Sequence, residues 1–144
     1  MFEFYDQDIG MLANKITKKL VHHLNSKLVK FHITTEQWSV LMNLSKQNKI
    51  SQKHLAEISD KDQSSLTRIL DILERKKFIE RHMSKEDRRS FVIYITKEGL
   101  DICKQVTPFL ENIFKDILSG ISHEKLEIFS EIFLQIDKNI TILQ

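Results

Sequence analysis

The chain has 144 residues and a net charge of +2, with 41% hydrophobic and 29% charged residues. This length fits one domain, and the apolar content is enough for a folded core, which argues against a wholly disordered chain. With three glycines, one proline and one cysteine, the sequence also argues against an all-β fold, a glycine-rich phosphate loop, an internal disulfide and a cysteine-based metal cluster.

The first two predicted elements are helices. Apolar residues recur every four positions from Leu12 to Leu28, which predicts one long helix over residues 6–31. At its expected length this helix is longer than a small domain needs internally, so we expect it to protrude or to pack on a partner. A capping-box pattern at Thr34 and Gln37 then opens a second helix.

Two shorter capped helices come next. Ser51 begins a helix predicted over residues 51–59, and Asp62 begins one that runs to about residue 77. Two short helices joined by about three residues resemble a helix-turn-helix motif.

The hydrophobic period then changes from that of a helix to that of a strand. Apolar and polar residues alternate over 78–84 and again over 91–96, with the charged segment SKEDRRS between them. This alternation predicts a β-hairpin. Thr96 and Ser122 then cap two further helices.

The last predicted helix carries a heptad-like apolar seam. The outer helices present more apolar surface than one small domain can cover, so we expect a homodimer formed through residues 1–34 and 98–144, around a central lobe at 35–97. A compact monomer that buries every apolar face is the alternative. The residues of the seam are Leu126, Phe129, Phe133, Ile136 and Ile140.

The arginines are confined to one stretch of the chain. Lysine is spread over the whole sequence, but all five arginines lie within residues 68–89. Arginine reads guanine edges, enters narrow minor grooves and pairs with phosphate, so this clustering favours a nucleic-acid partner. Intramolecular pairing of arginine with carboxylates is the other explanation, and the clustering alone leaves both open.

A helix-turn-helix followed by a charged hairpin is the order of a winged helix, so we predict a mainly α fold with a small β-hairpin wing. The second helix of the pair has a polar outward face on which Asp71 is the only acid between residues 63 and 73. The first half of such a helix usually meets base edges. The DNA contacts expected from this helix are Gln63, Ser64, Thr67 and Arg68, with Ser65 and Arg75 near the DNA backbone.

Four stretches carry a family resemblance: ITTEQWSVL at 33–41, SQKHLAEIS at 51–59, SSLTRILDILERKKFIER at 64–81 and DRRSFVIYITKEG at 87–99. The last is the most specific, because Asp87 and Arg89 lead into an alternating strand that ends in Thr96, with Gly99 three residues further on. In their order and spacing these stretches resemble the MarR (multiple-antibiotic-resistance regulator) family of bacterial winged-helix transcription factors.

The resemblance implies a homodimer that binds a pseudo-palindromic site in double-stranded DNA, as a repressor released by a small ligand or, in some branches, by thiol oxidation. It also implies that Arg89 reaches from the wing into the minor groove and that Asp87 orients an arginine. The phosphate contacts that it implies are Ser51, Gln52, Lys53, Lys85 and Arg88.

Other functions have weaker support. Cys103 lies among apolar helix residues without a resolving partner, which favours a buried cysteine over a redox sensor. The histidines are scattered and no catalytic constellation or cofactor motif stands out, so we expect no metal, no cofactor and no enzyme activity. A winged helix that binds protein rather than DNA is the main alternative.

Two expectations concern ligand and location. A small-molecule cavity lined by Trp38, Met42 and Phe109 is plausible between the DNA-binding lobe and the long helices, although ordinary packing explains these residues equally well. The first ten residues carry acids where a signal peptide needs basic residues, and the longest apolar run, residues 91–95, is too short to span a membrane. We therefore expect a cytoplasmic protein, and the family resemblance implies a bacterial one.

Overall fold

The structure, a computed structural model, describes residues 7–144. The described part is mainly helical with one small antiparallel sheet, which confirms the predicted fold class. None of its helices is long and apolar enough to cross a membrane. In chain order the elements are α1 (Gln7–Leu28), a 3-10 turn (Val29–Phe31), α2 (Thr35–Lys46), β1 (Ile50–Ser51), α3 (Gln52–Ile58), α4 (Gln63–Arg75), β2 (Ile79–Met83), β3 (Phe91–Ile95), α5 (Lys97–Ile117) and α6 (His123–Leu143).

The predicted helix starts are confirmed by side-chain caps. Before α2, the Gln37 backbone N–H donates to Thr34 Oγ1 at 3.2 Å, and the Thr34 N–H donates to Gln37 Oε1 at 3.3 Å, which completes a capping box. Ser51, Asp62 and Ser122 likewise accept backbone N–H groups at the starts of α3, α4 and α6. Local hydrogen bonding therefore sets where these helices begin.

The helix ends differ slightly from the expectations. The first helix ends at Leu28 rather than at residue 31, because the chain tightens into the 3-10 turn and His32 then takes a left-handed φ of 55°. Its predicted start at residue 6 lies outside the described residues. The fourth helix ends at Arg75, two residues short of the predicted end, and Lys77 has a φ of 62°.

The sheet contains a strand that the hydrophobic pattern did not predict. The two-residue strand β1 pairs with β3, with Ile50 opposite Ile93, and gives the strand order β1-β3-β2. The predicted hairpin is formed by β2 and β3, with Met83 opposite Phe91 at its outer end. A strand of two residues is too short to show alternation, so only its neighbours in space reveal it.

The core lies under the helix-turn-helix and the sheet. One face of α4 is buried against it, so its opposite face is left to solvent. The buried positions of α4 are Leu66, Ile69, Leu70 and Leu73, and fully buried neighbours in the same cluster include Leu41, Leu44, Leu55 and Ile93.

The chain divides into two compact units, one that ends at Phe109 and one that runs from Leu110 to Gln144. In the first unit, the stripe of α1 is buried at Leu24 and Leu28 but exposed at Leu12 and Ile16. In the second unit, the predicted seam of α6 is partly or largely exposed along its length, with Phe129 56% exposed and Phe133 41% exposed. Both outer helices therefore carry apolar side chains that residues 7–144 leave exposed.

Candidate nucleic-acid interface

The outward face of α4 is polar. Gln63, Ser64 and Arg68 are exposed there, opposite the buried leucines and Ile69. Ser65 and Thr67, which lie on the same helix, are half-buried. The structure thus brings the predicted base contacts to one end of one helix, within two turns.

Ser65 is engaged by the helix cap. Its backbone N–H and its hydroxyl both donate to the carboxylate of Asp62, each at 2.8 Å. These hydrogen bonds lower the pKa of the Asp62 carboxyl below its ordinary value. Because the Ser65 hydroxyl hydrogen is already used, the predicted contact of Ser65 with phosphate requires that hydroxyl to turn away from Asp62.

Gln52 and Thr67 are hydrogen-bonded to each other. The amide of Gln52, at the start of α3, donates to Thr67 Oγ1 on α4 at 2.9 Å, and the Thr67 hydroxyl donates to the Gln63 carbonyl at 2.8 Å. This chain of bonds ties the two helices of the motif together. The predicted DNA contacts of Gln52 and Thr67 stay predictions, and the structure adds that the two side chains act on each other.

The other predicted phosphate contacts have different settings. Ser51 accepts the His54 N–H at 3.1 Å as the cap of α3, whereas Lys53 is exposed on the same helix. Arg75 is exposed at the end of α4, where its Nε makes a long bond of 3.4 Å to the Asp71 carbonyl. The charged ends of Lys53 and Arg75 therefore face solvent.

The wing is shaped by its own polar residues. The Asp87 carboxylate accepts the Arg89 backbone N–H at 2.9 Å, and Ser84 Oγ accepts the Asp87 N–H at 3.4 Å. Lys85, Arg88 and Arg89 are exposed, and within residues 7–144 none of the three forms an ion pair with a carboxylate. Asp87 thus bonds the main chain of Arg89 and not its guanidinium group, and its role in orienting an arginine stays a prediction.

Arg81 behaves differently from the other four arginines. Its guanidinium pairs with Asp71 at 2.8 Å and with Glu74 at 2.9 Å, and its side chain is 20% exposed. The hydrogen bond from Arg81 lowers the pKa of the Glu74 carboxyl, and the same bond raises the pKa of Arg81. The sequence did not distinguish Arg81 from the other arginines of the cluster. A signal for the pairing was present in the sequence: the arginine lies in the strand that follows α4, and α4 carries two acids three residues apart.

The remaining candidate residues are wholly or partly buried. Burial raises the pKa of the Cys103 thiol to about 11, so at neutral pH the thiol is protonated. Phe109 packs edge-on to Phe31 at 5.1 Å, while Trp38 and Met42 pack partly buried against the core. The described residues contain no group of three or more potential metal ligands.

A family model described as the MarR family matches residues 33–91 of the chain. This match runs from the capping box of α2 to the first residue of β3, so it includes both helices of the motif and the wing loop. Every candidate DNA-contacting residue lies within it.

Solved structures share the fold over most of the chain. A MarR protein from Peptoclostridium difficile superposes with a TM-score of 0.86 at 12% identity, over 97% of this chain and 91% of that one. MepR from S. aureus, solved in complex with DNA, has a TM-score of 0.83 at 24% identity, over 90% and 96%. PcaV from Streptomyces coelicolor, solved with its natural ligand, has a TM-score of 0.81 at 19% identity, over 90% and 91%. Residues 33–91 thus match the MarR family model, and the chain as a whole has the same fold as these solved winged-helix structures.

Proposed function

We propose that this protein is a homodimeric transcription regulator that binds a specific pseudo-palindromic site in double-stranded DNA and represses from it. The observation that carries the proposal is the placement of exposed guanidinium groups. Arg68 lies on the outward face of α4, and Arg88 and Arg89 lie on the wing. A helix that reads the major groove and a wing that reaches the minor groove need cationic donors at these two places.

The roles of these arginines follow from their chemistry. Arg68 is the only arginine in the first half of α4, where base edges are usually read, and its planar fork matches the O6 and N7 acceptors of guanine. Arg89 is held by its main chain to Asp87, so its side chain is free to enter a narrow minor groove. Such grooves occur in A·T-rich DNA, where the negative potential is concentrated.

A direct binding experiment tests the proposal. The purified protein is titrated with its own upstream intergenic DNA and with a scrambled duplex of equal length. The variants R68A and R89Q are compared with K138Q, a one-charge change on α6 outside the winged helix. We expect R68A to cost ~1–3 kcal/mol at one base position per half-site, R89Q to weaken binding, and K138Q to leave it unchanged.

Three results would contradict this proposal. A uniform loss across all sequences would make Arg68 a phosphate contact instead of a base reader. Failure of the wild-type protein to bind either duplex at low salt would favour a winged helix that binds protein. Log affinity should also fall with log salt by roughly 0.9 per neutralised phosphate, and a flat dependence would oppose a phosphate-bound complex.

The homodimer is proposed from the exposed apolar residues of α1 and α6. Two copies would place their recognition helices on half-sites about 34–36 Å apart. Phe133 lies in the α6 seam next to Phe129, with ring centroids 4.5 Å apart, and we expect F133D to dissociate the dimer in sedimentation experiments. Gln135 is a polar, exposed residue of the same helix outside the seam, so Q135D, which adds the same charge, is the matched control. An unchanged sedimentation profile of F133D would contradict the proposed seam.

A small-molecule effector is the least constrained part of the proposal, and it is supported by the ligand complex of PcaV. Trp38 is the single tryptophan of the chain, so its fluorescence reports directly on the proposed pocket with Met42 and Phe109. A ligand that releases DNA should change this fluorescence at the same concentration.

A regulator of chromosomal DNA of this kind acts in the bacterial cytoplasm.

A further inference from the structure

We propose that Arg81 is a positioning residue for DNA recognition, which neutralises the two carboxylates of α4 so that the helix can approach phosphate. The proposal rests on the DNA-binding function proposed above. In this proposal the role of Arg81 differs from that of the other arginines, because Arg81 acts through Asp71 and Glu74 and does not itself contact DNA.

The charge arithmetic supports this role. Residues 63–75 contain two arginines, Arg68 and Arg75, and two acids, Asp71 and Glu74, so the recognition helix is formally neutral by itself. With Arg81 included, the sum becomes +1. Unpaired carboxylates on this helix would be repelled by the phosphates that flank the groove, because like charges near a surface interact over about a Debye length.

The contacts that place Arg81 are numerous. Its guanidinium reaches Asp71 at 2.8 Å and Glu74 at 2.9 Å, and its own backbone N–H donates to Glu74 Oε2 at 3.1 Å. Arg81 lies in the middle of β2, opposite Ile93 of β3. The pairing therefore fastens the first strand of the wing to the outward side of the recognition helix.

Exposure distinguishes Arg81 from a direct DNA contact. Its side chain is 20% exposed, whereas its partners Asp71 and Glu74 are 50% and 40% exposed. The Arg81 side chain is thus less exposed to solvent than the two acids that it pairs with. Removal of Arg81 would leave two uncompensated carboxylates on the helix that we propose to enter the major groove.

The test is a charge-balanced pair of variants, R81Q and R81Q/D71N. R81Q lowers the formal charge of residues 63–81 by one, and the added D71N restores it without rebuilding the ion pair. We expect R81Q to bind the native fragment about tenfold more weakly at ~50 mM salt, with a smaller difference at higher salt, because screening weakens the repulsion. R81Q/D71N should recover most of the wild-type affinity, although its melting temperature should stay as low as that of R81Q.

Each outcome of this comparison is decisive. If R81Q/D71N binds as weakly as R81Q, Arg81 has only a structural role and the proposal is wrong. If R81Q binds as tightly as the wild type, the carboxylates do not oppose binding and the proposal is also wrong. If R81Q does not fold, D71N with Arg81 intact tests the same charge. It should bind several-fold more tightly than the wild type, and unchanged binding would overturn the proposal.

The proposed function and this inference fail in different ways. Wild-type protein that binds no duplex at low salt would remove the DNA-binding function, and the role of Arg81 with it. Wild-type protein that binds specifically while the R81Q series fails would remove only the role of Arg81. K138Q, which changes the net charge by the same amount on α6, serves as the control for long-range charge.

Discussion

The substitution G99A should destabilise the fold strongly, because a methyl group at Gly99 has no space. A Cβ at this position would lie 2.2 Å from the Phe78 carbonyl oxygen and 2.8 Å from Ile95 Cγ1. The carbonyl cannot retreat freely, since it accepts the Thr96 N–H at 3.0 Å where β3 passes into α5. Thr96 Oγ1 in turn accepts the Gly99 N–H at 3.0 Å. The methyl group would therefore push the start of α5 away from Phe78 and from the end of β3.

The size of the effect follows from the shortfall in distance. Ordinary van der Waals contacts of a Cβ begin at 3.4 Å, which is more than 1 Å beyond the distance available to Phe78. Overpacking of this kind costs about 1–3 kcal/mol, and a backbone neighbour places G99A at the upper end. Alanine returns up to ~1 kcal/mol of helix propensity. A net loss of about 2 kcal/mol corresponds to a fall of roughly 7 °C in Tm for a chain of this size.

Thermal and chemical denaturation of G99A and of the control G10A measure this effect. Gly10 lies in α1 with nothing within 4 Å of its added Cβ, so G10A should stabilise the protein by roughly 0.5–1 kcal/mol. A G99A variant that melts at or above the wild-type temperature would refute the reasoning, because it would mean that β2, β3 and α5 separate at little cost.

Three further predictions follow from the polar and titratable groups. Because burial raises the pKa of Cys103 to about 11, native protein at pH 7.5 should react slowly with a thiol reagent and keep its DNA affinity in peroxide; rapid labelling of folded protein would revive the redox alternative. T67V removes the bonds of Thr67 to Gln52 and Gln63 and should cost ~1 kcal/mol in urea denaturation, whereas T67S should cost less; equal losses would mean that the hydroxyl is not what matters. Arg81 lowers the pKa of Glu74 from its ordinary 4.5, so this group adds stability above that pH, and the stability is lost as the pH falls through the lower folded value. The free energy of unfolding of R81Q should therefore fall less on acidification than that of the wild type. Parallel acid profiles of the two proteins would contradict the pairing.

Local signals in the sequence were sufficient to predict most of the fold. The capping box of Thr34 and Gln37 and the caps Ser51, Asp62 and Ser122 are all formed, because a cap depends only on residues three positions apart. The strand β1 was missed because its two residues are extended only through pairing with β3. Gln37 also accepts a bond from Lys76 at 3.1 Å, and that contact between distant positions has no signal in the hydrophobic pattern.

The candidate site was predictable in its residue types but not in its internal pairings. Clustering selected all five arginines equally, and the structure shows that one of the two explanations, pairing with carboxylates, applies to Arg81. Arg81 pairs with carboxylates, whereas Arg68, Arg88 and Arg89 are exposed without such partners in the described part of the chain. The difference depends on which turn of α4 lies beside the middle of β2. That register is set by the packing of the strand on the helix, which residue spacing does not encode.

The apolar stripe of α1 also shows that residue spacing does not reveal which positions are buried. This difference in burial bears on the proposed dimer. Its leucines and Ile16 recur at a constant spacing from Leu12 to Leu28, so periodicity treats them as one surface. In the structure, Leu24 and Leu28 are buried, whereas Leu12 and Ile16 are 59% and 56% exposed. A single helical period can therefore serve two surfaces, a core at one end and an uncovered face at the other. Burial of apolar surface is worth about 25 cal/mol per Å², so a helix that keeps such a stripe exposed forgoes several kcal/mol of burial free energy. A second copy of the chain is the partner that we propose would recover it.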